Sequence, residues 1–167
     1  MLIRDAEDRD VPRIVELVNA FLLTTTSEWT ETPYTAPDRH AWLERHRRAS
    51  EPVIVGEIDG EVVGFACYGD FRDSQKWPGY RFVVEHTIHV DKKHWRGGVG
   101  RELIEALCER AQAGGKRVMV AAIDGENVGS IRFHERCGFV EVARMPGIGF
   151  KFGRWLTLVM LQRRLGD

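Results

Sequence analysis

The segment Trp95-Arg96-Gly97-Gly98-Val99-Gly100-Arg101 joins two runs of different periodicity. Before it, Arg81 to Val90 alternates in part. Val84, His86, Ile88 and Val90 face one side, and Val83, Glu85, Thr87 and His89 face the other, which is a strand pattern. After it, Glu102 to Ala113 reads as a helix closed by Gly114-Gly115. A strand, a tight glycine turn and a helix confine the fold to a sheet with a helix packed across it. Glycines let the chain turn sharply and let its backbone approach a ligand. The free N–H groups of the turn and the first helical turn then converge where the helix dipole favours an anion. Arg96 and Arg101 add positive charge, and a pyrophosphate suits such a site. The chain has no G-x-x-x-x-G-K-S/T, and G-x-G-x-x-G fails because Arg101, Glu102 and Leu103 follow Gly100. Read alone, the turn is equally a structural one.

The remaining runs complete the architecture. Leu2 to Arg4 reads as a strand. Asp8 or Asp10 caps a helix with Pro12 in its first turn and Val11, Ile14, Val15, Val18, Phe21 and Leu22 on its buried face. Thr24 to Pro37 reads as a loop, and Asp38 as the cap of a helix reaching Ala49. Pro52 to Ile58 and Glu61 to Tyr68 flank Asp59-Gly60, a strong hairpin signal. Phe71 to Gly79 is a loop and Val118 to Ile123 a strand. Asn127 to Cys137 is a helix ended by Gly138, and Phe139 to Ala143 and Leu156 to Leu161 are strands. The expected class is α/β (α+β), a central mixed sheet flanked by helices, as one domain over residues 1–167.

Composition narrows the function. Lys and Arg number 24 against 25 Asp and Glu, a formal net charge of -1, so no global basic field invites nucleic acid or anionic lipid. Arg45 to Arg48 and Arg163-Arg164 read as a solvated helix face and a chain end. The 3 cysteines, Cys67, Cys108 and Cys137, are widely spaced and lack a C-x-x-C, which argues against a disulfide framework or a zinc site. His86 and His89 face opposite sides of one strand, so no shared metal is expected there. No signal-peptide pattern and no membrane-spanning run is read, and the expected compartment is the cytoplasm.

Residues 95–100 resemble the acetyl-CoA loop, Q/R-x-x-G-x-G/A, of the GNAT superfamily of N-acetyltransferases. Trp95 stands where Gln or Arg is usual, and Arg96-Gly97 is exchanged relative to the common Gly-Arg/Lys pair. Three other segments resemble the phosphinothricin and methionine sulfoximine acetyltransferase branch: Val84-Glu85-His86-Thr87-Ile88-His89-Val90, Asn127 to Phe139, and Met145 to Trp155. The resemblance runs from the first strand nearly to the C-terminus. It implies a mostly antiparallel GNAT sheet, acetyl-CoA as cosubstrate, no metal, and a small primary amine as acceptor. The acceptor would be amino acid-like: phosphinothricin, methionine sulfoximine, methionine sulfone or similar. A homodimer is also implied.

Acetyl transfer to an amine has three requirements. The ammonium must lose a proton, the thioester carbonyl must be polarised, and the leaving thiolate benefits from a proton. The resemblance makes Glu85 the general base; the bland reading is a strand glutamate with a salt-bridge partner. It makes His134 the general acid, where many superfamily members carry tyrosine. His134 as part of the base system with Glu85, or as a packed bystander, stays open. Backbone groups of Ile88, His89 and Val90 are implied to pair with pantetheine amides. Asn127 is implied to contact pantetheine and Ser130 to lie near the phosphates, beside Trp95, Arg96, Gly97, Gly98, Val99, Gly100 and Arg101; helix N-terminal capping is the alternative for both Asn127 and Ser130. On the acceptor side stand Trp29, Phe71, Arg72, Val83, Val84 and Glu85, with Lys76, Trp77 and Tyr80 adding aromatics and cations. Arginine suits an acceptor carboxylate. Val83 replaces the usual threonine, and residues 73–78 look expanded. Two other functions remain: an acyl-CoA-binding sensor with little turnover, and an acetyltransferase acting on a protein.

Overall fold

The computed structural model describes residues 1–166. Its elements are β1 (Leu2–Asp5), α1 (Val11–Leu22), α2 (Ala36–Ala49), β2 (Val53–Ile58), β3 (Glu61–Asp70), β4 (Val83–Val90), α3 (Val99–Ala113), β5 (Val118–Asp124), α4 (Val128–Arg136), β6 (Val140–Lys151) and β7 (Arg154–Arg164). The strands form one 7-stranded sheet in the order β1-β2-β3-β4-β5-β7-β6. Every neighbouring pair is antiparallel except β4 with β5. The α/β class and the mostly antiparallel mixed sheet expected from the sequence are what the chain adopts.

The parallel pair is short. Val83, Val84 and Glu85 align with Val118, Met119 and Val120, and the pairing stops there, although both strands continue. The two central strands therefore part beyond Glu85 and leave a gap in the middle of the sheet.

Each face of the sheet has its own core. On one, α1 and α2 cover Val53, Val55, Val62, Phe65 and Cys67 through Val11, Ile14, Leu17, Val18 and Leu43. On the other, α3 and α4 cover Ile54, Ala66, Tyr68, Val84, Met119 and Ala121 through Leu103, Ile104, Leu107 and Ile131. Alternation along the strands sends successive residues to opposite cores, and burying them supplies the main stabilisation.

Several boundaries differ from the sequence expectation. The cap of α2 is Thr35, not Asp38. The Thr35 hydroxyl accepts the Asp38 N–H while the Asp38 carboxylate accepts the Thr35 N–H, a reciprocal capping box that pulls Ala36 and Pro37 into the first turn. Asp10 precedes α1, but its carboxylate binds Arg4 and the Glu7 N–H rather than the helix. β4 starts at Val83, because Pro78 to Tyr80 forms a short 3-10 turn. α3 starts at Val99, and β6 and β7 are one long hairpin whose bulges absorb Pro146 and Gly147. The β2–β3 turn matches expectation, with Asp59 and Gly60 both at positive φ, 51° and 82°.

Candidate active site

The glycine segment forms the N-terminus of α3. Gly98 precedes the helix at φ 90°, and no side chain caps it. The first intrahelical bond runs from the Glu102 N–H to the Gly98 carbonyl at 3.0 Å. The N–H groups of Val99, Gly100 and Arg101 therefore precede the helical ladder, where a helix presents unpaired donors. Arg96 and Arg101 are exposed beside them. Gly100 lets α3 approach α4, since a Cβ there would lie 3.1 Å from the Phe133 ring. Arg96 has φ 63°, a conformation that favours glycine, so the exchanged Arg96-Gly97 pair puts arginine at the left-handed position. Trp95 does not replace the usual Gln or Arg as a donor to an anion. Its indole N–H donates to the Val90 carbonyl at 2.8 Å, and its ring stacks on Phe21 at 5.8 Å. The side chain ties the loop to β4 and α1.

The β3–β4 ladder decides which backbone groups of β4 face the gap. The Phe71 N–H donates to the Val83 carbonyl and the Asp91 N–H donates to the Val63 carbonyl. In an antiparallel ladder, hydrogen-bonded pairs alternate with non-bonded ones. Odd-numbered residues of β4, His89 included, therefore exchange bonds with β3. Even-numbered residues, Ile88 and Val90 included, turn theirs toward β5 and the gap. This corrects the assignment of His89 as a backbone partner. Its side chain is structural too. It is buried, stacks on Phe65 at 5.4 Å and bonds Glu28 through Nε2 at 3.0 Å.

Glu85 lies at the last paired position before the gap. Its carboxylate is partly buried and has no hydrogen bond or ion pair among the described residues, so the salt-bridged strand glutamate is not what the fold contains. Burial without compensation raises its pKa above the ordinary 4.5.

His134 and His86 occupy the opposite face. Their ring centroids are 5.1 Å apart, and both pack on Phe139. His134 Nδ1 lies 2.8 Å from the Ser130 carbonyl. A carbonyl only accepts, so Nδ1 carries the proton and the neutral ring presents a bare lone pair at Nε2. Nε2 of His134 and both ring nitrogens of His86 are buried and have no hydrogen-bond partner among the described residues. Burial lowers both pKa values, His86 well below 6.5, so both rings are neutral at pH 7. His134 thus does not share a face with Glu85; the two flank the gap from opposite sides.

Asn127 caps α4, its Oδ1 accepting the Ser130 N–H at 3.1 Å. The Ser130 hydroxyl lies 3.4 Å from His134 Nδ1.

On the Glu85 face, Thr87 of β4 and Ala122 of β5 are exposed although both belong to central strands. They mark a cleft. Its walls come from two segments. The first is 23–35, held by buried Lys151, whose Nζ donates to the carbonyls of Leu22, Thr25 and Glu28. Thr26 bonds Asp124 at the end of β5, and Glu28 bonds His89 on β4. Trp29 is packed rather than free: a Cβ on Gly149 would come within 2.2 Å of its ring. The second segment is 71–82. The Arg72 guanidinium lies 5.7 Å from the Phe71 ring and 5.9 Å from Tyr80, at the Val83 end of β4. Lys76 and Trp77 are exposed and pair with each other at 5.2 Å. Val83 shares the Glu85 face, but Val84 is buried in the α3 core and faces away from the cleft, which corrects its assignment to the acceptor. Arg39 is buried on α2, and its Nε has no partner among the described residues. A lone arginine on a polar helix carries no signal, because its aromatic neighbours are apparent only in three dimensions.

A split central sheet, free helix N–H groups beside it and an unpaired carboxylate at the split make up the candidate site, an arrangement that suits an acyl-CoA-dependent transferase. Comparison with known proteins gives the same class. The family model described as Acetyltransferase (GNAT) family matches residues 14–139, and this chain belongs to that family. It is 40% identical over 167 residues to the L-methionine sulfoximine/L-methionine sulfone acetyltransferase of Salmonella typhimurium, covering 100% of this chain and 96% of the relative. It is 32% identical over 164 residues to the phosphinothricin N-acetyltransferase of Alcaligenes faecalis, covering 98% and 82%. Among solved structures, a Salmonella typhimurium protein with its cofactor acetyl-CoA superposes with a TM-score of 0.94 at 40% identity, covering 100% of this chain and 95% of that one.

Proposed function

We propose that this chain transfers the acetyl group of acetyl-CoA to the primary amine of a small amino acid-like acceptor, with Glu85 as general base. The observation that carries the reading is the Glu85 carboxylate, unpaired and partly buried where β4 and β5 separate. Acetyl-CoA supplies an acyl carbon activated by its thioester. The free N–H groups of Val99, Gly100 and Arg101, with exposed Arg96 and Arg101, suit its pyrophosphate. The gap-facing N–H and C=O of Ile88 and the N–H of Val90, whose carbonyl is taken by the Trp95 indole, suit the pantetheine amides, as an added strand would. Glu85 attracts the acceptor ammonium and takes its proton, directly or through a water, releasing the lone pair that attacks the thioester. A raised pKa brings Glu85 closer to the acidity of that task. His134, neutral and holding its lone pair at Nε2, takes the second proton, which the attacking nitrogen sheds in the tetrahedral intermediate, and passes it to the departing thiolate as the C–S bond breaks. The relatives named for methionine sulfoximine, methionine sulfone and phosphinothricin support an amino acid-like acceptor.

The test is thiol release by the purified chain given acetyl-CoA and a panel of amino acid analogues, with acetylated amine identified by mass. Binding of acetyl-CoA without acetylation of any amine would favour a sensor. No binding of acetyl-CoA would sink the reading.

The working unit is proposed to be one domain over 1–167, a homodimer, in the cytoplasm, with neither nucleic acid nor membrane as partner. No helix among the described residues is long and apolar enough to cross a membrane, and the formal net charge is -1. Val140, Val142, Ile148, Phe150, Phe152 and Trp155 are exposed along the β6–β7 hairpin, where β6 is a free sheet edge. An apolar free edge favours a covering partner, and a second copy supplies one. Sedimentation checks this: Trp155→Glu should shift a dimer toward monomer, and a wild-type monomer at all concentrations contradicts it.

A further inference from the structure

The cleft face carries a second uncompensated charge. Arg39 is 9% exposed, and its Nε is buried without a hydrogen-bond partner. The guanidinium lies 3.8 Å from the Tyr34 ring centroid and 4.9 Å from that of Trp42. Tyr34 is fixed in turn, its N–H and C=O both bonded to the Asn19 amide. Among the described residues no carboxylate forms an ion pair with Arg39. Glu28, whose charge reaches it, is bonded to His89. A buried cation without a counter-charge is costly and calls for a partner. Aromatic stacking uses the faces of the guanidinium and leaves its N–H edge, the edge that grips planar or tetrahedral oxygen groups.

Its place in the fold says which partner. Arg39 stacks on Tyr34 and Trp42, which pack against the cluster that contains Cys67 of β3. Cys67 pairs with Thr87, the exposed residue on the cleft floor, and the next residues on that face pair Gly69 with Glu85. Arg39 and Glu85 thus belong to one cleft but stand apart along and across the strands. An acceptor whose amine meets Glu85 turns its far end toward α2.

We propose that Arg39 binds the polarised oxygen group at the end of the acceptor remote from the reacting amine, and so selects amino acids with an oxygen-bearing sulfur, phosphorus or carboxyl centre on the side chain. The assignment rests on the acetyltransferase reading above and deepens it. It separates the two cationic residues of the cleft: Arg72, near the Val83 end of β4, is left for the acceptor's α-carboxylate, and Arg39 for the distal group. It also fits the relatives named for methionine sulfone and phosphinothricin, compounds that share such a distal centre.

The experiment compares wild type, Arg39→Met and Arg39→Lys with two acceptors of similar length, methionine sulfone and norleucine, reading KM, kcat, acetyl-CoA affinity and Tm. Arg39→Met should raise KM for methionine sulfone about 10- to 100-fold, the worth of hydrogen bonds to a charged group. It should leave norleucine within about 2-fold and kcat and acetyl-CoA affinity nearly unchanged, because the effect is uniform binding. Arg39→Lys, which keeps the charge but not the fork, should recover part of the loss. An equal change with both acceptors, or none with either, overturns the assignment and makes Arg39 a structural stack. Should Arg39→Met fail to fold, calorimetric titration of wild type decides. Methionine sulfone binding at least about 10-fold tighter than norleucine supports the assignment, and equal or absent binding contradicts it. If wild type acetylates neither amine, the acetyltransferase reading fails separately, and the calorimetry still tests Arg39.

Discussion

The two faces of β4 are built by different means. On the α3 face the proposed donor site comes from consecutive residues: a strand edge left free by the end of pairing, then a glycine turn, then helix N–H groups. Its donors are mostly backbone, so side-chain departures such as Trp95 leave the cradle intact. On the α1 face the cleft is assembled from distant parts of the chain. Lys151 holds carbonyls more than 120 residues earlier in sequence, and Thr26 reaches Asp124. Its groups are side chains, each dependent on a remote anchor. A backbone cradle tolerates sequence change and binds what family members share. A side-chain cleft changes with single substitutions, which is where acceptor preference can diverge.

The sharpest way to break this division is Glu85→Gln. Turnover should fall about 100- to 10,000-fold, the usual worth of a general base, while acetyl-CoA affinity stays the same; equal loss of both would merge the two faces into one binding unit. The same variant has a stability signature. Because the folded pKa of Glu85 is raised, its contribution is present in full below pH 4.5 and is lost as pH rises through the folded pKa. Glu85→Gln should therefore be more stable than wild type at pH 7, with the difference vanishing below pH 4.5 in urea titrations.

Lys151→Met tests the anchor of the cleft. It strips three buried carbonyls of their donor and should cost about 3 kcal/mol in urea unfolding. Acceptor KM should rise while acetyl-CoA affinity holds; a loss confined to acetyl-CoA binding would reverse the assignment of faces. Gly149→Ala forces the Trp29 ring to move and should cost about 2 kcal/mol, again with acceptor KM as the parameter that responds. On the other face, His86 and His134 have depressed pKa values, so their contribution is present above pH 6.5 and is lost as pH falls through the folded values. A Tm that declines from pH 7 to 5, less steeply in His86→Phe, checks this. The smallest effect belongs to the donor turn. Arg96→Gly relieves a left-handed arginine and should stabilise by about 0.5 kcal/mol after the entropy cost of glycine, while the lost cation weakens acetyl-CoA binding and leaves kcat at saturating acetyl-CoA nearly unchanged.

The same contrast explains what was legible in the sequence. Donor-side features are local: alternation in β4, Gly98 before α3 and Asn127 before α4 all act within a few residues of themselves. The helix faces and the Asp59-Gly60 hairpin are likewise short-range. The cleft is less legible because its meaning lies in contacts between remote segments. Trp29 reads as a pocket residue, but what fixes its ring, the close approach of Gly149, is visible only in the fold. Val84 reads as a neighbour of the acceptor until the register turns it into the α3 core. His89 carries the right motif, yet ladder parity, which depends on where β3 begins and ends, takes its backbone away from the gap. Asp38 reads as the cap of α2, but in the fold it pairs with Thr35 in a reciprocal box and Thr35 is the cap. Arg39 is invisible without Tyr34 and Trp42 around it.

Amide hydrogen exchange with and without acetyl-CoA tests the split-strand donor site most directly. Acetyl-CoA should slow exchange at Val99, Gly100 and Arg101 and at Ile88 and Val90, while His89, already bonded to β3, stays unchanged. Protection confined to the 23–35 segment and α2, with 98–101 and β4 unaffected, would contradict it.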